Sequence, residues 1–176
     1  CYLSMECRTG KTLTALYAAD KFNAKSVLFI TKLKAIPSVK NDYIALQPSF
    51  KLEVVNFESS HKVTVKYDLV IIDEAHSLGA YPKPSKRTQE IRTICDGLPV
   101  LYLSGTPSPE SYSQLYHQFW VCSKSPWKSY KSFYKWAKEY VYTRQKRVNG
   151  YLINDYSCAN KPKIDNDTRN LFISYS

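Results

Sequence analysis

No stretch of the sequence approaches the about 18 consecutive apolar residues that a bilayer-crossing helix needs. Its first residues also lack a basic segment followed by an apolar run and a small-residue cleavage site. Neither a membrane span nor a secretory leader is therefore expected. The five cysteines, Cys1, Cys7, Cys95, Cys122 and Cys158, are odd in number and scattered, and no Cys-x-x-Cys pair occurs. That pattern argues against a zinc site and a disulfide framework and leaves reduced, mostly buried thiols as the expectation. Acidic residues are scarce too: 15 stand against 25 lysines and arginines, for a formal charge of +10. Such an imbalance points to a polyanionic partner, either nucleic acid or an anionic membrane surface. Internal repeats and low-complexity tracts are absent. A soluble protein of the cytoplasm is expected.

What is present suits a single folded lobe. With 176 residues, 44% hydrophobic and 23% charged, the chain can bury one real core but is short for two full-sized domains. Leu13, Leu16 and Tyr17 recur at helical spacing and predict a helix from Lys11 to about Phe22. "SVLFI" (Ser26 to Ile30), "DLVIID" (Asp68 to Asp73) and "PVLYLSG" (Pro99 to Gly105) read as strands buried on both faces. "KLEVVNF" (Lys51 to Phe57) alternates as a further strand, with a helical stretch from Leu33 to about Leu46 before it and a polar helix near Lys86 to Cys95 after it. Strands alternating with helices predict an α/β fold, a parallel sheet flanked by helices.

Three motifs carry chemistry. "SMECRTGKT" (Ser4 to Thr12) reads as a phosphate-binding loop in which Met5 stands where the first glycine of the usual pattern would fall. Backbone N–H groups and the start of the following helix can point at an anion, while Lys11 supplies charge and Thr12 a hydroxyl for Mg²⁺. "VIIDEAH" (Val70 to His76) ends a buried strand with two carboxylates and a histidine. A magnesium-dependent nucleotide hydrolase needs such an acid to hold its metal, and Asp73 is placed for it, with Glu74 as the base for the attacking water. "LSGTP" (Leu103 to Pro107) follows another buried strand and, alone, would be an ordinary turn.

"GKT", "DEAH" and "SGTP", in this order and spacing, resemble motifs I, II and III of the superfamily-two DEAD/DEAH-box helicases, in particular SWI/SNF-like members of bacteriophage type. The resemblance implies a RecA-like P-loop lobe that binds ATP and Mg²⁺ and drives movement along nucleic acid, DNA foremost, in the host cytoplasm if the chain is phage-encoded. It implies that Arg8, Thr9, Gly10, Lys11 and Thr12 bind the nucleotide. Thr12 and Asp73 would hold the metal and Glu74 would activate water. His76, Ser104, Gly105 and Thr106 would couple nucleotide state to the strand. Thr31, Lys32 and, more weakly, Asn56 sit where the family touches the nucleic-acid backbone. On this likeness residues 1–120 form the ATP-binding lobe and residues 121–176 a basic aromatic extension of it. A second lobe with an arginine finger would lie outside the chain, so hydrolysis by the lobe alone should be weak. Two other readings stay open: a motor that moves on duplex DNA within a restriction or remodelling complex, and a nucleic-acid-binding module with a vestigial nucleotide site.

Beyond Glu110 the composition changes. Tyr130, Phe133, Tyr134, Ala137 and Val141 suggest one helical stripe, with Lys131, Lys135 and Lys138 largely off it. Packing onto the lobe is the favoured reading of those aromatics, and the many cations remain free for nucleic acid. Trp127 and Trp136 are the aromatics least tied to the stripe. Asn149-Gly150 predicts a hairpin turn, and "NLFISYS" (Asn170 to Ser176) a last strand without a visible partner.

Overall fold

The computed structural model describes residues 1–6 and 9–175. In chain order the strands are β1 (Tyr2–Met5), β2 (Ser26–Thr31), β3 (Lys51–Asn56), β4 (Leu69–Ile72), β5 (Val100–Ser104), β6 (Arg144–Val148), β7 (Tyr151–Asp155) and β8 (Phe172–Tyr175). The helices are α1 (Lys11–Lys21), α2 (Ile36–Leu46), α3 (Lys86–Ile94), α4 (Gln114–Trp120), α5 (Phe133–Tyr140) and α6 (Lys161–Thr168). Six strands form one sheet in the order β3-β2-β4-β5-β1-β8, and β6 and β7 form a separate antiparallel pair. Every pairing in the larger sheet is parallel. An α/β fold with a parallel sheet and flanking helices is thus what the alternation of apolar runs and helical stretches implied.

Side chains alternate across a strand, and here each set meets its own layer. Leu3, Met5, Val27, Phe29, Ile71 and Leu103 point to the face covered by α1 and α2 through Ala15, Leu16, Ala19 and Val39. Tyr2, Leu28, Ile30, Val70, Ile72 and Tyr102 point to the other face, against α3, α4 and α5. Burial on both faces explains why the central strands read as continuous apolar runs rather than as alternating ones.

The aromatic segment belongs to this second layer. Trp136 and Trp127 are 0% and 2% exposed, and Trp136 stacks on Tyr140 with ring centroids 5.0 Å apart. Both tryptophans are therefore core residues and not free stacking platforms. The expected stripe holds at Phe133, Ala137 and Val141, which are buried, and fails at Tyr134. Ser132 caps α5 by accepting the Lys135 N–H, and the buried positions are Phe133, Trp136, Ala137 and Tyr140, whereas Tyr134 faces water. Tyr130 precedes the helix and Val141 follows it, so the cap, which fixes where the helix begins, decides which aromatics point inward.

One strand was not expected, and two expectations are adjusted. The strand β1 leads into the phosphate-loop sequence, though Tyr-Leu-Ser-Met is too short to announce a strand. The last strand does have a partner: β8 pairs with β1, Tyr2 opposite Phe172. Among the described cysteines only Cys95 is fully buried, Cys1 is exposed, and Cys122 and Cys158 are half-buried; all four are free thiols. Among the described residues no helix is long and apolar enough to cross a membrane.

Candidate nucleotide site

Parallel strands of one sheet all end on the same side, so the residues that close β1, β2, β4 and β5 share one rim. Ligands of open α/β sheets bind at this carboxyl end. Glu6, Thr31, Asp73 and Ser104 all lie there, as the register of the four strands requires. β5 intervenes between β1, which carries the loop, and β4, which ends in the carboxylates.

Gly10 caps α1 with φ +83 and ψ 22, a left-handed conformation that glycine adopts freely. Nothing lies within 4 Å of where a Cβ would stand on it. No side chain caps the helix and no acid sits in its first turn, which leaves the first N–H groups of an 11-residue helix free of competing anions. Lys11 Nζ donates to the carbonyl oxygens of Met5 and Glu6, each at 2.8 Å. An ammonium has three donors, so among the described residues one is left for an anion. Thr9 Oγ1 donates to the same Glu6 carbonyl at 2.7 Å, and Thr12 is half-buried beside Lys11. Met5 itself points into the core at 7% exposure and its carbonyl holds Lys11. The side chain that replaces the missing glycine thus packs away from the loop. Arg8 and Cys7 lie outside the described residues.

Asp73 receives the Thr31 hydroxyl at 2.7 Å, and its backbone N–H reaches the Ile30 carbonyl at 2.8 Å. Burial pushes its carboxyl above the usual range, Thr31 opposes that, and neighbouring Glu74 adds to it. Glu74 adopts φ 52 and ψ 43. The other non-glycine residues with positive φ, Asn23, Gln47 and Asn149, carry amides; Glu74 is the acid among them. A residue in this region carries a cost of about 1–2 kcal/mol, which clusters at functional sites. Its two carboxylate oxygens are engaged: Lys32 Nζ donates to one at 2.9 Å, and His76 Nδ1 lies 3.4 Å from the other. Burial alone would raise the Glu74 carboxyl, but the Lys32 hydrogen bond and the charges of Lys32, His76 and Lys11 outweigh it and hold it below its ordinary value.

His76 Nδ1 is also 2.9 Å from Ser104 Oγ, which accepts the Thr106 N–H at 3.2 Å. A chain of contacts therefore runs from Glu74 through His76 and Ser104 to Thr106. Gly105 approaches β1 closely: a Cβ there would stand 3.4 Å from the Met5 carbonyl.

The structure separates the three residues expected at a nucleic-acid backbone. Thr31 is 0% exposed and gives its hydroxyl to Asp73, which does not fit a strand contact and makes it a support for the carboxylate. Asn56 uses its side-chain oxygen to cap the following 3-10 turn, accepting the Ser59 N–H at 2.9 Å. Lys32 is exposed, but it pairs with Glu74. Sequence reasoning missed Gln118, which is fully buried, accepts the Tyr2 hydroxyl at 2.7 Å and donates to the Pro107 carbonyl at 2.7 Å. It ties β1 to the turn after β5. Glutamines in the otherwise aromatic run of α4, Gln114 and Gln118, were the available signal.

The described residues contain no group of three or more His, Cys, Asp and Glu able to hold a metal by themselves. An Mg²⁺ held by one carboxylate, one hydroxyl and phosphate oxygens needs no such group. Asp73, Thr12, the open corner at Gly10 and the remaining Lys11 donor fit that donor set. No known protein family and no curated protein sequence matches the chain.

Proposed function

We propose that the chain is the RecA-like ATP-binding lobe of a superfamily-two nucleic-acid helicase or translocase, acting on DNA. The observation that carries the reading is the meeting of Lys11, Asp73, Glu74, His76 and Ser104 at one end of the sheet, joined by hydrogen bonds or charge. Three sequence motifs that are far apart in the chain form one polar constellation on an otherwise apolar sheet.

Each group has a part in that reading. The free N–H groups of α1 and the Lys11 ammonium bind the β- and γ-phosphates. Thr12 and Asp73 hold Mg²⁺, which supplies charge neutralisation on the phosphoryl group. Glu74 takes the proton from water, and the chain through His76 and Ser104 reports its position to the turn at Thr106 and Pro107. Thr31 keeps the buried Asp73 oriented. The formal charge of +10 suits a polyanionic track.

The test is Mg²⁺-dependent ATP binding and turnover by this chain, with and without single-stranded and duplex DNA. Lys11→Ala is expected to abolish binding, and Glu74→Gln to keep binding and abolish turnover. Equal nucleotide binding by the wild type and Lys11→Ala would refute the reading.

A further inference from the structure

The pair of β6 and β7 stands apart from the sheet and is wet on both sides. Of its ten strand residues all but Asp155 are exposed. Two-stranded hairpins are marginal in water unless a face is covered, yet this one holds Tyr151 76% and Leu152 63% exposed. Asn149 and Gly150, with φ 49 and 82, make the tight turn between them.

Opposed residues share a face, so the register sorts the side chains. One face carries Arg144, Lys146 and Val148 opposite Asp155, Ile153 and Tyr151; the other carries Arg147 opposite Leu152. Lys146 lies 3.5 Å from Asp155. Among the described residues no carboxylate comes within ion-pair distance of Arg144 or Arg147. The base of the hairpin borders a cavity of about 390 Å³, whose other wall is Gly79 to Pro82, the segment directly after Asp-Glu-Ala-His and its turn. The base of the hairpin therefore faces, across that cavity, the segment that follows the turn after Asp73 and Glu74.

We infer that the face of this hairpin bearing Arg144 and Tyr151 is a docking surface for single-stranded nucleic acid, with a phosphate paired to Arg144 and a base stacked on Tyr151. The partner rests on the motor reading above, but the surface makes its own case. An unpaired cation calls for an anion, and an exposed tyrosine at the turn calls for a flat apolar face. A nucleic-acid strand alternates these two features along its length. A duplex turns its base faces inward and leaves none for Tyr151, so the occupant is a single strand.

The test is fluorescence anisotropy of a labelled oligothymidine of about 20 nucleotides against the whole chain, over a series of salt concentrations. Stacking worth about 1–3 kcal/mol per base predicts that Tyr151→Ala weakens binding roughly tenfold, while Tyr151→Phe keeps it. Replacing Arg144 by glutamine should lower the salt slope by about 0.7, the share of one phosphate. These positions face water, and circular dichroism checks that the variants remain folded. Unchanged affinity and slope in both variants would overturn the inference, as would no binding by the wild type. A Tyr151-dependent self-association seen by sedimentation, with oligonucleotide affinity unaffected, would overturn it in favour of a second copy of the chain. Nucleotide binding is measured on the same variants and is expected to stay at the wild-type level. If Lys11→Ala leaves nucleotide binding intact while Tyr151→Ala still loses the oligonucleotide, the motor reading fails and the hairpin assignment stands.

Discussion

Replacing His117 by glutamine is expected to remove a pH-dependent part of the stability of the lobe. His117 lies in α4 at 3% exposure, between Phe133, whose ring stacks at 5.7 Å, and Trp120, whose ring meets it edge-on at 5.6 Å. Its Nδ1 is 2.6 Å from the Ala80 carbonyl and so carries the proton, which leaves Nε2 bare in the neutral ring. Burial pushes its pKa down to about 4, against a smaller upward pull from the Ala80 carbonyl. An unfolded histidine titrates near 6.5. The folded value is the lower one, so the unfolded chain takes up the proton first as the pH falls. The stabilisation is complete above about pH 6.5 and is lost progressively toward pH 4. Between about pH 7.5 and about pH 5 the loss amounts to about 2 kcal/mol, at 1.36 kcal/mol per pH unit below the unfolded value. For a chain of this size that is a fall of about 4–8 °C in Tm. Urea unfolding of the wild type and His117→Gln at the two pH values isolates this contribution from that of the carboxylates, which both proteins share. If the two lose stability in parallel, the ring is not held neutral and the reasoning fails.

Gly79→Ala should destabilise the lobe by about 1–3 kcal/mol in denaturant unfolding. The added Cβ would stand 2.8 Å from Gln114 Cβ and 3.0 Å from both the Gln114 carbonyl and Gln118 Nε2, and a backbone oxygen cannot swing aside. An unchanged midpoint would show that α4 can shift at little cost. On the proposed function, Lys32→Gln should raise ATP turnover in the absence of nucleic acid by up to about fivefold, because it releases Glu74 from an exposed ion pair worth about 0.2–1 kcal/mol. Basal turnover at or below the wild-type rate would mean that Lys32 does not restrain the carboxylate.

The central strands β2, β4 and β5 could be read from sequence because a strand covered on both faces has almost no polar residue to disguise it. Edge strand β3 showed itself by alternation, with Lys51 and Glu53 exposed on the side away from Leu52 and Val54. The pairing of β8 was invisible, since nothing local to residues 172–175 encodes that β1 lies beside them. In α5 the spacing was right at Phe133 and Ala137, wrong at Tyr134 and blind to Trp136 and Tyr140, because aromatics occur at too many positions for spacing alone to decide and the Ser132 cap decides it. In the candidate site the residues with motif-like spacing lie together at one rim. The family likeness suggested Thr31 as a backbone contact, but it is buried and gives its hydroxyl to Asp73, a pairing across two strands that local sequence does not announce. The pairing of Lys32 with Glu74 joins two loops whose separation in sequence carries no sign of it.

The placement of β1 bears on how the lobe comes into being. The loop that carries Gly10 and Lys11 hangs from a strand whose neighbours lie opposite Tyr102 on one side and opposite Phe172 on the other. β1 precedes β8 by most of the described chain, so it must wait for a segment made long after it before its second ladder can form. Pairings between such distant parts of a chain are slow to close, and an unpaired edge is open to other chains meanwhile. The strand that leads to Gly10 and Lys11 is therefore fully paired only once β8 has been made, and a chain halted before that point would present β1 as a bare edge.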